Sequence, residues 1–116
     1  MSRAEREQQG RRGETLAAWY LRLTGWHILG RRIRTPRGEV DIVARRGRTL
    51  VFFEVKWRSR AADLDLAIDA WRLRRVVAAA EALVPRYARA GEDVRVDVLL
   101  LAPRRFPRHI VNALMP

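Results

Sequence analysis

The sequence predicts an α/β fold, a mixed β-sheet flanked by helices, and three observations carry that expectation. Segments of helical and strand period follow one another in the order α, β, β, β, α, β, β. Two alternating runs between Gly38 and Arg58 flank the turn-like pair Arg46-Gly47, the pattern of a β-hairpin. The run Val94 to Leu101 is almost continuously apolar, as a strand covered on both faces must be. A chain of 116 residues with 48% hydrophobic content is long enough for one core, so residues 1–116 are expected to form a single domain. Cysteine is absent, which excludes a disulfide framework and a thiolate metal site. No stretch has the length and apolarity of a signal peptide core or a membrane span, and a cytoplasmic setting is the expectation.

Residues 1–12 are charged and unpatterned and are expected to fray ahead of a helix from about Gly13 to Thr24. Leu16, Trp19, Tyr20 and Leu23 recur at helical spacing and are read as its core face. Glu14 groups with Ala17, Ala18 and Leu21 at the margin of that arc. Two readings of Glu14 stand: an acid in a first turn stabilised by the helix dipole, or a carboxylate looking into a cleft. Thr24-Gly25 closes the helix, Trp26 to Arg34 reads as the first strand with His27 as an ordinary strand residue, and Pro36 marks the bend into the second.

The hairpin carries the chemistry. In Glu39-Val40-Asp41-Ile42-Val43 the odd positions hold the acids, and in Leu50 to Lys56 the even positions hold Glu54 and Lys56. With Arg46 and Gly47 at the centre of the turn, Asp41 faces Phe52, Glu39 faces Glu54, and Asp41 lies diagonal to Glu54. Three carboxylates and an amine then share one face, whereas a three-residue loop would send the acids of the first strand to the other face. Like charges across a strand pair destabilise by up to about 1 kcal/mol unless neutralised. A divalent cation would neutralise them, and Mg²⁺ suits one or two carboxylates with water and phosphate completing its shell. Salt bridges to neighbouring arginines are the competing explanation, since from Trp26 to Arg60 these three are the only acids beside ten Arg and Lys residues. Lys56 is the only lysine of the chain; an amine can orient or deprotonate water where a guanidinium cannot.

Beyond the hairpin, Trp57-Arg58-Ser59-Arg60 interleaves an aromatic with cations, either a grip on nucleic acid or a partly buried strand end. Asp69 is a good N-cap for a helix from Ala70 to about Leu83, with Val76, Ala79, Ala80 and Leu83 inward and Arg72, Arg74 and Arg75 outward. Pro85 is expected to kink or end it. In the strand Val94 to Leu101 the only acid, Asp97, is read as structural, and His109 to Leu114 as a short edge strand in which His109 has no special part.

The segments Gly38-Glu39-Val40-Asp41, Val51 to Arg58, and Gly13-Glu14 with Ala17, Tyr20 and Leu21 resemble the YraN-type family of small bacterial proteins. That family is similar to the PD-(D/E)XK nuclease superfamily, including Holliday-junction resolvases. The resemblance extends from about Gly10 to Leu114, through Arg95 to Val98 and His109 to Ala113. It implies a restriction-endonuclease-like core and a divalent-metal-dependent endonuclease using Mg²⁺ or Mn²⁺, in which Asp41 and Glu54 hold metal, Glu14 on the first helix assists as a further ligand, and Lys56 orients the attacking water. The chain departs from the family pattern in having Ala61-Ala62-Asp63-Leu64 after the Glu-x-Lys strand, where a glycine-containing loop is usual, and Arg72 where a lysine is usual.

A net charge of +11 points to a polyanionic partner, and arginine is shaped to grip phosphate in two places. Nucleic acid is the expected partner, DNA ahead of RNA, with Arg37, Trp57, Arg58, Arg60 and Arg72 as candidate contacts. No basic amphipathic helix suited to a membrane surface is present, and a homodimer is left open. Two other classes compete with the endonuclease: a non-catalytic nucleic-acid-binding module, and a basic ribosome- or assembly-associated protein that needs the arginines but not the acids.

Overall fold

The computed structural model describes residues 3–57 and 70–113. Arg58 and Arg60, the 61–68 connection and the expected N-cap Asp69 lie outside them. The elements are α1 (Arg3–Leu23), β1 (His27–Thr35), β2 (Gly38–Arg46), β3 (Thr49–Trp57), α2 (Ala70–Tyr87), β4 (Asp93–Leu101) and β5 (Arg108–Ile110). They build one mixed five-stranded sheet in the order β1-β2-β3-β4-β5. β1, β2 and β3 form an antiparallel meander, β4 runs parallel to β3, and β5 returns antiparallel along β4. Among the described residues no helix is long and apolar enough to cross a membrane.

Strand alternation divides the core between the two faces. Leu50 and Phe52 of β3 and Val96, Val98 and Leu100 of β4 pack under Leu73, Val76, Ala79, Ala80 and Leu83 of α2. Val51 and Phe53, with Leu99 and Leu101, pack under Ala17, Ala18 and Leu21 of α1. β4 is therefore covered on both sides, which accounts for its continuous apolar sequence. It is the fourth strand of five.

α1 turns out differently from its expected orientation. Ala17, Ala18 and Leu21 are fully buried, while Leu16, Trp19 and Leu23 are 52%, 58% and 82% exposed. The alanines let the helix lie close against the sheet, as does Gly13, whose added Cβ would meet Trp57 and Leu101 at 3.6 Å. The large side chains on the other side line an apolar groove with Phe106 and Pro107. The helix also starts at Arg3 rather than near Gly13. Its end is as expected: Gly25 has φ +93°, and the N–H groups of Gly25 and Trp26 donate to the carbonyls of Arg22 and Leu21, a Schellman closure.

Pro85 sits inside α2 without ending it, two residues before the helix stops at Tyr87. So near the end its missing N–H removes a single intrahelical bond. β5 covers only Arg108–Ile110, and residues 111–113 turn away, with Asn112 at φ +53°.

Candidate functional site

The β2–β3 turn is centred on Gly47-Arg48, one residue later than Arg46-Gly47. Arg46 pairs with Thr49, and Gly47 at φ +61° takes the first central position, which glycine occupies without steric penalty. Every cross-strand partner thereby moves by two, and a shift of two preserves parity. The ladder runs as far as Ile42–Phe53, and beyond it Glu39, Asp41 and Glu54 line one cleft. There the strands part. In place of a further ladder bond, the Val55 N–H donates to Asp41 Oδ2 at 2.7 Å.

The gap so opened is a cleft beneath α2, lined by Glu39, Asp41, Glu54, Arg72, Arg75 and Val76. Glu54 and Lys56 are both almost wholly buried. Glu54 Oε1 lies 3.3 Å from Arg72 and 3.8 Å from the Lys56 amine, yet no described group donates a hydrogen bond to it. Burial pushes the Asp41 carboxyl up to about 7, and the charge of Glu54 adds to the shift against the pull of the Val55 N–H. Burial likewise raises Glu54, with Arg72 and Lys56 opposing. Two carboxylates thus line one cleft, each hard to ionise, and among the described residues nothing donates to Glu54 Oε1. Glu39 stands on the rim, about half exposed and 3.8 Å from Arg34. Among the described residues no three acid or imidazole side chains gather into a metal-holding group.

Glu14 is buried, as a cleft carboxylate would be, but in a neighbouring recess with Thr15, Arg31 and Arg32. Both of its oxygens are engaged, by Arg31 Nε at 3.1 Å and Arg32 Nε at 2.6 Å. Trp57 belongs to the opposite face from Lys56 and packs with the α1 cluster. Arg37 is exposed near Glu81 of α2, at 3.9 Å, and among the described residues Arg72 is the one candidate nucleic-acid contact that borders the cleft.

Sequence reasoning missed two features. His109 is anchored: its Nε2 lies 2.7 Å from Asp97 Oδ2, and its ring packs on Phe53 and Trp26. Asp97, fully buried, also accepts from Arg95 at 3.0 Å and from the Asn112 N–H at 2.8 Å. Burial alone would raise its pKa, but these three donors outweigh burial and hold it below the usual range. The available signal was their place in the segments Arg95 to Val98 and His109 to Ala113, through which the family resemblance extends. The second feature, convergence of Arg31 and Arg32 on Glu14, has no signal in residue type because it depends on a backbone torsion.

A mixed sheet between two helices, with acids and a lysine where the hairpin strands part, defines a restriction-endonuclease-like chain. The same fold is seen in the 1.6 Å structure of Hjc from Archaeoglobus fulgidus, a Holliday junction resolvase from an archaeal hyperthermophile. The match has a TM-score of 0.64 and 26% identity, covering 86% of this chain and 73% of that one. The chain belongs to the family described as Uncharacterised protein family UPF0102, the YraN-type family, whose model matches residues 13–101. It is similar over the full length of both chains to UPF0102 proteins of Sphingopyxis alaskensis, at 66% identity, and Erythrobacter litoralis, at 58%.

Proposed function

We propose that the protein binds nucleic acid, DNA in preference to RNA, and hydrolyses its phosphodiester bonds with the help of Mg²⁺ or Mn²⁺. The observation that carries this reading is that Asp41 and Glu54 line one cleft, both resisting ionisation, with no donor to Glu54 Oε1 among the described residues. An all-oxygen pair of this kind suits a hard cation that keeps water and phosphate in its remaining positions. Asp41 and Glu54 would hold it, and the bound cation would supply a more acidic water and charge neutralisation at phosphate. Lys56, within 3.8 Å of Glu54, orients the attacking water; Arg72 reaches the same carboxylate from α2 and draws phosphate toward the cleft. The fold shared with a Holliday junction resolvase supports branched DNA as a substrate class.

A second reading, a nucleic-acid-binding module without catalysis, is favoured by one observation. Arg31 and Arg32 occupy both oxygens of Glu14, so the described residues offer the cation two carboxylates and not three. Incubation with labelled four-way junction, linear duplex, single strand and RNA, in Mg²⁺, Mn²⁺ or EDTA, separates the two. Metal-dependent cleavage supports the nuclease; binding without cleavage of any substrate supports the module.

A further inference from the structure

Neighbouring residues of a strand point to opposite faces, yet Arg31 and Arg32 reach the same carboxylate. The backbone brings this about. Arg32 has φ +51°, in the left-handed region that a long side chain rarely adopts. At this point the β1–β2 ladder passes from Arg31–Ile42 to Ile33–Val40 without pairing Arg32 to Asp41. The face assignment changes there too, since Ile42 packs toward α1 and Val40 toward α2. Such a torsion costs on the order of 1–3 kcal/mol and persists only where its surroundings over-determine it.

The left-handed residue brings two consecutive guanidinium groups onto one carboxylate. Glu14 lies beneath at 7% side-chain exposure, with Arg31 and Arg32 above it at 36% and 44%. Glu14 binds each arginine through Nε. Of the terminal nitrogens, one of Arg31 donates to Thr15 Oγ1 at 3.1 Å, and among the described residues nothing accepts from those of Arg32. Two cations over one anion leave a surplus positive charge at the mouth of an open recess. Partly exposed guanidinium groups that keep terminal donors uncommitted match the oxygens of a phosphodiester. The recess also neighbours the acidic cleft, because the charges of Glu39 and Asp41 act on Arg32 and that of Glu14 acts on Asp41.

We infer that Glu14, Arg31 and Arg32 form a phosphate clamp in which Glu14 positions the two arginines and these grip a nucleic-acid backbone phosphate. Glu14 is then a positioning residue for the clamp and not a metal ligand. That the gripped phosphate neighbours the scissile one rests on the nuclease reading; the clamp itself does not.

Binding of a labelled DNA duplex, measured in EDTA across a salt series, tests the clamp without any metal or cleavage. Removing both guanidinium groups in Arg31→Ala/Arg32→Ala is expected to reduce the log-log salt slope by about 0.9 for each phosphate that is no longer neutralised. Glu14→Gln is expected to weaken binding several-fold, because the arginines lose their ionic anchor. Arg32→Gly relieves the torsion while deleting the guanidinium. It should still unfold cooperatively, the relieved torsion offsetting part of the lost ion pair to Glu14, and bind more weakly, which separates the clamp from simple misfolding. Unchanged or tighter binding by Glu14→Gln in EDTA, as expected of a carboxylate that only repels phosphate, overturns the proposal, and so does an unaltered salt slope in the double variant. Failure of cleavage would count against the nuclease reading and leave these outcomes standing.

Discussion

Replacing Asp41 by Asn should stabilise the fold, and by an amount that grows with pH. The carboxyl is raised from 3.8 to about 7 by burial and then by Glu54. Between those values the folded protein retains a proton that the unfolded chain has released, so stability falls as pH rises through the window and levels off above it. At about 1.4 kcal/mol per pH unit, the ionised carboxylate penalises the folded state by a few kcal/mol at pH 8 and by roughly 1–2 kcal/mol at pH 5. Asparagine keeps the shape and an oxygen for the Val55 N–H, but it cannot ionise. The gap between Asp41→Asn and wild type should therefore widen by roughly 2–3 kcal/mol from pH 5 to pH 8. Urea unfolding of both proteins at several pH values measures it, since most other titrating groups are shared and cancel. A gap independent of pH, or a variant less stable than wild type at pH 8, would refute the reasoning. Saturating Mg²⁺ should narrow the gap, because the cation favours the ionised pair only in wild type.

Asp97→Ala should destabilise by roughly 3–5 kcal/mol in thermal or urea unfolding, because it strands His109, Arg95 and the Asn112 N–H around a buried site. The depressed Asp97 value also means that wild-type stability contributed by this cluster is present above the ordinary carboxylate range and is lost as pH falls through the folded value. Gly38→Ala should cost at least about 2 kcal/mol by the same assay, since its Cβ would stand 2.3 Å from the Arg75 carbonyl oxygen where α2 crosses the sheet. On α1, Trp19→Ser should change stability by about 0.5 kcal/mol or less, whereas Leu21→Ala should cost roughly 2–5 kcal/mol, the reverse of what side-chain size alone suggests.

Much of the architecture was legible because the strands follow period two and α2 follows its apolar stripe without competing signals. α1 was misread because two patterns coexist on it: a stripe of large residues that faces outward and a stripe of Gly13, Ala17 and Ala18 that permits close packing. Hydrophobic size favoured the first, and proximity to the sheet selected the second. In the hairpin an error of one residue in the turn moved every partner by two, so the sequence could bring Asp41 and Glu54 to one cleft without naming their exact neighbours. Glu14 shows where reading by residue type ends. Its burial could be suspected from the wheel, but its capture by two consecutive arginines depends on a left-handed Arg32 that no local sequence preference announces.

The most direct test of the cleft is to measure DNA cleavage in Mn²⁺ and DNA binding in EDTA for wild type, Asp41→Asn and Glu54→Gln, using branched and linear duplexes side by side. Each substitution removes one negative charge and preserves shape. Cleavage should fall by about 100-fold or more in both variants, as expected when a group central to charge stabilisation is lost, while binding in EDTA should hold or tighten because a carboxylate facing phosphate has been neutralised. Cleavage retained by both variants, or a wild type that neither cuts any substrate nor gains stability from Mn²⁺, would contradict a metal-dependent nuclease site at Asp41 and Glu54.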